Sequence, residues 1–188
     1  GTPWLDALFT STSAVCVTGL VVVDTGTYFS FFGQTVILIL IQVCGLGFMS
    51  FATFFAVMLG KKIMLKDRML LQEAYNQLNL QGMVRLVRSI LAISFIFEGI
   101  GALLLLVPFQ KEFGLVRGMF MALFHSISAF NNAGFDLFGQ YQSLTAFVSV
   151  PLVNLTMVLL IIIGGLGFSV VSEIVICHGR GLRLHCIV

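Results

Sequence analysis

The sequence predicts an all-α membrane protein in which one unit, a short re-entrant helix, a glycine turn and a long membrane span, occurs twice. Three observations predict it. Hydrophobic residues make up 59% of the 188 and charged residues only 10%, with a mean hydropathy of +1.07, whereas soluble domains carry roughly a quarter charged residues. Phe9-Thr10-Ser11-Thr12-Ser13-Ala14, followed by Gly19, returns as Phe124-His125-Ser126-Ile127-Ser128-Ala129, followed by Gly134, at a constant offset of 115 residues. Each copy then enters an apolar segment containing Gly-Leu-Gly-Phe, at 45–48 and 165–168, where the offset has grown to 120. A repeat of this kind fixes architecture before any single residue does.

Along the chain, Leu5 to Ala14 is apolar but about half the length a crossing requires, so it reads as a helix that dips into the membrane and ends at the glycine turn. Thr35 to Leu59 is an uncharged run of 25 residues, enough to span. A further span begins near Ser89 and carries Glu98 in its middle; Met119 to Phe130 is the second short helix; Leu137 to Ser172 contains no charge and holds the last span. The expected organisation is a first unit over 1–59, a linker over 60–88, a second unit over 89–176, and a tail over 177–188. The second unit comprises a span at 89–107, a pore helix and turn at 117–135, and a span at 145–176.

Charge tests the re-entrant reading independently. Eight of the ten Lys and Arg lie in two places: Lys61, Lys62, Lys66, Arg68, Arg85 and Arg88 in the linker, Arg180 and Arg183 in the tail. The positive-inside rule puts both on the cytoplasmic side. Two segments on one side are separated by an even number of crossings, which the spans at 89–107 and 145–176 supply; a third crossing at 119–130 would put the tail outside. The linker, with Leu65, Met69, Leu70, Leu71, Leu78 and Leu80 among its basic residues, reads as a cytoplasmic surface helix at the lipid headgroups and a turn around Asn76 to Gln81. The chain reaches its first short helix almost at once, without a preceding span or signal peptide, as expected of a piece of a longer protein. Cys16, Cys44, Cys177 and Cys186 have no paired spacing and imply no disulfide framework.

Non-helical backbone at membrane depth must be buried in protein or line water. Cys16-Val17-Thr18-Gly19 and Asn131-Asn132-Ala133-Gly134 are such stretches. Extended backbone facing an axis presents carbonyl oxygens that replace a cation's water shell, and the negative end of the preceding helix favours a cation there. The alternative is that each glycine only closes its helix; duplication in register favours the cation reading. Glu98, costly at mid-span, is either a proton or ion contact or a hydrogen-bond anchor to a neighbouring pore helix, with the anchor favoured. Glu173 reads as a solvated charge at a span end. Asp24 and Asp136 follow the two turns and either raise cation concentration at an outer mouth or cap loops.

His125 beside serines lacks any nucleophile elbow, and with Asn131 is expected to pack around the second short helix. The Gly-Leu-Gly-Phe pairs lack a preceding strand and a complete dinucleotide fingerprint, and read as close helix packing. Asn154-Leu155-Thr156 lies within a span, out of reach of glycosylation. Cys177-His178 and His185-Cys186 do not have zinc spacing.

Ser13-Ala14-Val15-Cys16-Val17-Thr18-Gly19-Leu20, Ile41-Gln42-Val43-Cys44-Gly45-Leu46-Gly47, Glu98-Gly99-Ile100-Gly101-Ala102-Leu103-Leu104-Leu105 and Phe124 to Asp136 together resemble the membrane subunits of the Ktr potassium uptake systems, in the Trk/Ktr/HKT superfamily. The resemblance covers essentially the whole chain. It implies a pore of four repeats of span, pore loop and span, of which this chain holds about half: the first pore loop with its second span, and the complete second repeat. The tail Leu184 to Val188 resembles the approach to a third repeat.

It also implies that Gly19 and Gly134 are filter glycines and that carbonyls of Val17, Thr18, Asn132 and Ala133 coordinate potassium, flanked by Cys16 and Asn131. Further implications are a homodimer on a cytosolic RCK-type ring of nucleotide-binding regulatory subunits, in the plasma membrane, with sodium-stimulated uptake. No covalent cofactor, enzyme activity or nucleic-acid partner is expected. The rival readings are a secondary cation transporter with broken helices, for which paired carboxylates within spans are missing, a non-transporting assembly module, and an intramembrane enzyme, which needs a second catalytic group at the depth of Glu98.

Overall fold

A computed structural model describes residues 3–45, 47 and 83–166. The distal part of the first span, Leu46 and Phe48, the linker from 60 to 82, Gly167 and Phe168, Glu173, the end of the last span and the Cys/His pairs of the tail lie outside the described residues. Those described form six α-helices and a 3-10 turn: α1 (Trp4–Val15), α2 (Thr25–Tyr28), α3 (Phe31–Gly45), α4 (Met83–Phe113), α5 (Leu115–Phe130), the 3-10 turn Ser143–Phe147, and α6 (Pro151–Gly165). No strand occurs among them.

The helices show where the duplication holds. The two short helices end at Val15 and Phe130, again 115 residues apart, and α3 and α6 both start and finish 120 apart. The five added residues therefore fall in the loop after the second turn. Each long apolar helix is preceded by a short helical turn held by an amide near its own start. Gln34 Nε2 donates to the carbonyls of Thr25, Gly26 and Phe29 at 3.3, 3.2 and 3.0 Å, and Asn154 Nδ2 to that of Val148 at 2.8 Å.

Helix limits differ from the expected segments where capping chemistry acts. α3 starts at Phe31, ahead of Thr35, because Ser30 Oγ accepts the Gly33 N–H at 3.4 Å as an N-cap. α6 starts at Pro151, not near 145: proline suits the first helical position, and Val150 before it is extended (φ −100°, ψ 98°). α4 continues through Pro108 to Phe113, past 107. Its stretch Ile90–Phe113 is, among the described residues, the one helix long and apolar enough to cross a membrane.

α4 and α5 pack along one another after a turn at Gly114, α6 lies against both, and α3 bridges α1 and α5. Ile41, Leu105, Phe109, Phe124 and Val153, each fully buried, form the common core. Phe32, Ile39, Leu103, Val107, Leu155 and Ile162 are exposed apolar side chains on the outside, the distribution of a membrane protein.

Candidate functional site

The candidate site is the pair of glycine turns that close α1 and α5. Both are helix C-terminal caps of one design. At the first, the N–H groups of Cys16, Val17 and Thr18 donate to the carbonyls of Thr12, Ala14 and Ser13 at 2.8, 3.3 and 3.0 Å; at the second, those of Asn131, Asn132 and Ala133 donate to Ile127, Ala129 and Ser128 at 3.0, 3.1 and 2.8 Å. Every donor and acceptor is displaced by 115. The crossed pattern, one bond reaching five residues back around another reaching three, is the Schellman arrangement.

The torsions repeat as well. Cys16 and Asn131 have φ −83° and −80°; Val17 and Asn132 are left-handed at 55° and 56°; Gly19 and Gly134 at 72° and 74°. A β-branched residue at positive φ is an outlier, so Val17 is held there by its surroundings.

The two turns meet. A Cβ on Gly19 would strike the carbonyl oxygen of Ala133 and lie 3.3 Å from Gly134 Cα, while a Cβ on Gly134 would have only Gly19 Cα, at 3.7 Å, in contact. Of the residues expected to form a filter, the structure thus brings Gly19, Ala133 and Gly134 together, while Thr18, Asn132 and Gly134 stay exposed.

Three side chains from α1 and α5 brace the turns, one within the first and two beyond the second. Ser13 shares a 2.8 Å hydrogen bond with Thr18, and its counterpart Ser128 donates to the Phe135 carbonyl at 2.7 Å. His125 joins in the second unit only, accepting the Leu137 N–H at 3.3 Å. The sequence reading passed over the serines, although both recur inside the repeated motif.

Glu98 lies behind the second turn at 2% exposure. Gln42 Nε2 of α3 donates to both of its carboxylate oxygens at 3.0 Å, Asn131 Nδ2 to one of them at 3.1 Å, and Ser126 Oγ to its backbone carbonyl at 2.6 Å. Asn131 Nδ2 also reaches the Ile127 carbonyl at 3.0 Å. One carboxylate therefore ties the first unit's long helix to the residue that opens the second turn.

Glycines of the long helices let the turn sit close: a Cβ on Gly45 would collide with the Asn131 side chain, and one on Gly164 with the Phe130 carbonyl oxygen. The packing glycines thus serve the second turn.

Asp24 and Asp136 are both engaged in loop bonds. Asp24 Oδ2 accepts from Thr27 Oγ1 at 2.5 Å and from the Gln140 N–H at 2.6 Å; Asp136 accepts from the Phe138 N–H at 3.2 Å and from Ser143 Oγ at 3.1 Å. With the Tyr141 hydroxyl donating to the Val22 carbonyl at 3.3 Å, the longer second loop is clasped onto the first. Cys16 and Cys44 are free thiols. Among the described residues no group of three or more His, Cys, Asp or Glu side chains gathers into a metal cluster.

The TrkH model, described as a cation transport protein, matches residues 2–183. The chain belongs to the TrkH family. The chain is 52% identical over 171 residues, 91% of its length, to Ktr system potassium uptake protein B of Bacillus subtilis, and 45% identical over 169 residues, 90% of its length, to the protein of the same name in Vibrio alginolyticus. It is 42% identical over 185 residues, 98% of its length, to potassium/sodium uptake protein NtpJ of Enterococcus hirae. These matches cover 38%, 37% and 41% of the respective relatives, so the chain spans about two fifths of their length. As a TrkH-family chain it is a membrane protein of a cation transporter fold, not an enzyme.

Proposed function

We propose that the intact subunit containing this chain takes up potassium across the plasma membrane through a filter of backbone carbonyls. Val17, Thr18 and Gly19 supply one part and Asn132, Ala133 and Gly134 another, with Cys16 and Asn131 as the flanking residues. The observation that carries this reading is the residue-for-residue repetition of hydrogen bonds and left-handed torsions at the two turns. A simple helix stop needs one left-handed residue, whereas each turn here has two with an intervening residue. Two turns in contact are part of a ring, and further repeats complete it.

In this proposal the subunit crosses the membrane several times, with linker and tail in the cytoplasm. It pairs as a homodimer and is gated by a cytosolic nucleotide-binding ring seated against the 60–88 face. The names of the Ktr and potassium/sodium uptake relatives support potassium as cargo and sodium as a second ion acting on the process. Glu98 acts as a structural anchor, and Asp24 and Asp136 shape the outer mouth before they attract cations.

The test is Gly134→Ser in the intact subunit. Because the space beside Gly134 is open, the substitution acts through its 74° φ, at a cost of about 1–2 kcal/mol. Sodium competition against rubidium uptake is expected to rise about tenfold, the change that such an energy produces. Unchanged discrimination removes Gly134 from the filter.

A further inference from the structure

His125 is fully enclosed, at 1% exposure, on the buried face of α5. Its ring is fixed by neighbours, with Phe138 at a centroid distance of 4.4 Å and Phe109 and Phe124 edge-on at 5.6 and 5.9 Å. Nδ1 lies 2.7 Å from the Met121 carbonyl oxygen, one turn back on α5, and Nε2 lies 3.3 Å from the backbone N of Leu137. A carbonyl only accepts and an amide only donates, so the proton is on Nδ1 and the lone pair on Nε2. The imidazole is a neutral strut from the helix to the chain leaving the second glycine turn. Ser128, three residues along, bonds the Phe135 carbonyl at 2.7 Å, so alternate residues of the exit segment are held from one helix.

Among the described residues the first unit has no such strut. Thr10 occupies the place of His125; its hydroxyl is buried without a hydrogen-bond partner, and Val22, in the place of Leu137, is exposed.

We propose that His125 is a positioning residue for ion discrimination. By holding Leu137 it fixes the direction of the Gly134 exit backbone, and with it the carbonyls of Asn132 and Ala133. The proposal rests on the filter reading of the second turn. A buried amide left without its acceptor loses a bond that its surroundings do not replace, and the exit segment rotates to find one.

The test uses the intact subunit with its cytosolic partner in cells deprived of other potassium uptake. The readouts are potassium KM, Vmax, sodium discrimination and the amount of subunit in the membrane. Three substitutions separate bonding from packing. His125→Leu keeps an apolar side chain and removes both bonds; His125→Asn keeps a polar atom near Nδ1 but does not reach Leu137; His125→Gln places Oε1 near Nε2.

The expected result is a fall in discrimination and a rise in potassium KM of about tenfold for Leu and Asn, with Gln restored to within about threefold of the parent, the scale of one lost hydrogen bond. If Leu does not accumulate in the membrane, the Gln and Asn pair decides alone: Gln above Asn supports the strut, and equal values overturn it. Parental discrimination in all three also overturns it while leaving the filter reading intact, provided Gly134→Ser still loses selectivity. If Gly134→Ser retains selectivity, the filter reading itself fails.

Discussion

Beyond Gly19 the chain faces outward, with Leu20 62% and Val22 47% exposed; beyond Gly134 it faces inward, with Phe135 and Leu137 at 2% and 3%. Up to each glycine the two backbones match bond for bond. The turn is therefore a local product of a helix end and its left-handed residues, whereas its rigidity comes from elsewhere in the chain. The second turn has α4 behind it, with Glu98, and the α5 side chains His125 and Ser128. Among the described residues nothing plays the part of α4 for the first, which is held by Ser13 and by the loop reaching over from the second unit. Geometry and stiffness are separately encoded.

The sharpest break of this comparison is Glu98→Leu. It strands the Gln42 amide and leaves Asn131 with only its bond to the Ile127 carbonyl, and a buried group without a partner costs about 1–3 kcal/mol, so thermal unfolding of the intact subunit in detergent should move down by several degrees and uptake should fall. Glu98→Gln keeps an acceptor for one amide and is expected to retain most uptake; equal loss in both points to a charge or proton requirement instead of an anchor.

A smaller effect separates the serines. Ser128→Ala leaves the buried Phe135 carbonyl unpaired, whereas Ser13→Ala frees an exposed threonine to bond water, so the former should weaken potassium affinity about threefold more than the latter, a difference near 0.6 kcal/mol. Equal effects would mean that the first turn is as firmly held as the second. The smallest belongs to Asp24→Asn at the exposed clasp, expected to change potassium KM by less than about twofold at any ionic strength, since its partners are also within reach of water. A large effect that fades with added salt would reveal long-range attraction at the mouth.

Much of this was legible in the sequence because it is periodic. The motif Phe-x-Ser-x-Ser-Ala with its glycine located both turns, and the jump in offset from 115 to 120 located the longer loop. What was not legible depends on meetings between distant segments. Gln42 and Glu98 stand 56 residues apart and Asp24 and Gln140 116 apart. The demand that Glu98 have a polar partner could be read from its place in a span, but not that Gln42 would supply it. His125 was read as packing, correctly for its aromatic neighbours, while its two hydrogen bonds became visible only with the path of the exit segment. Helix starts slipped at Ser30 and Pro151, where a single capping residue outweighs hydropathy.

Val17 and Asn132 share nothing as side chains, one branched and apolar, the other a polar amide that tolerates left-handed backbone, yet they hold φ within a degree of each other. What the two copies have inherited in common is thus written in angles more faithfully than in letters. A search for further copies would do better to look for a helix end followed by left, any, left than for any amino acid but the final glycine.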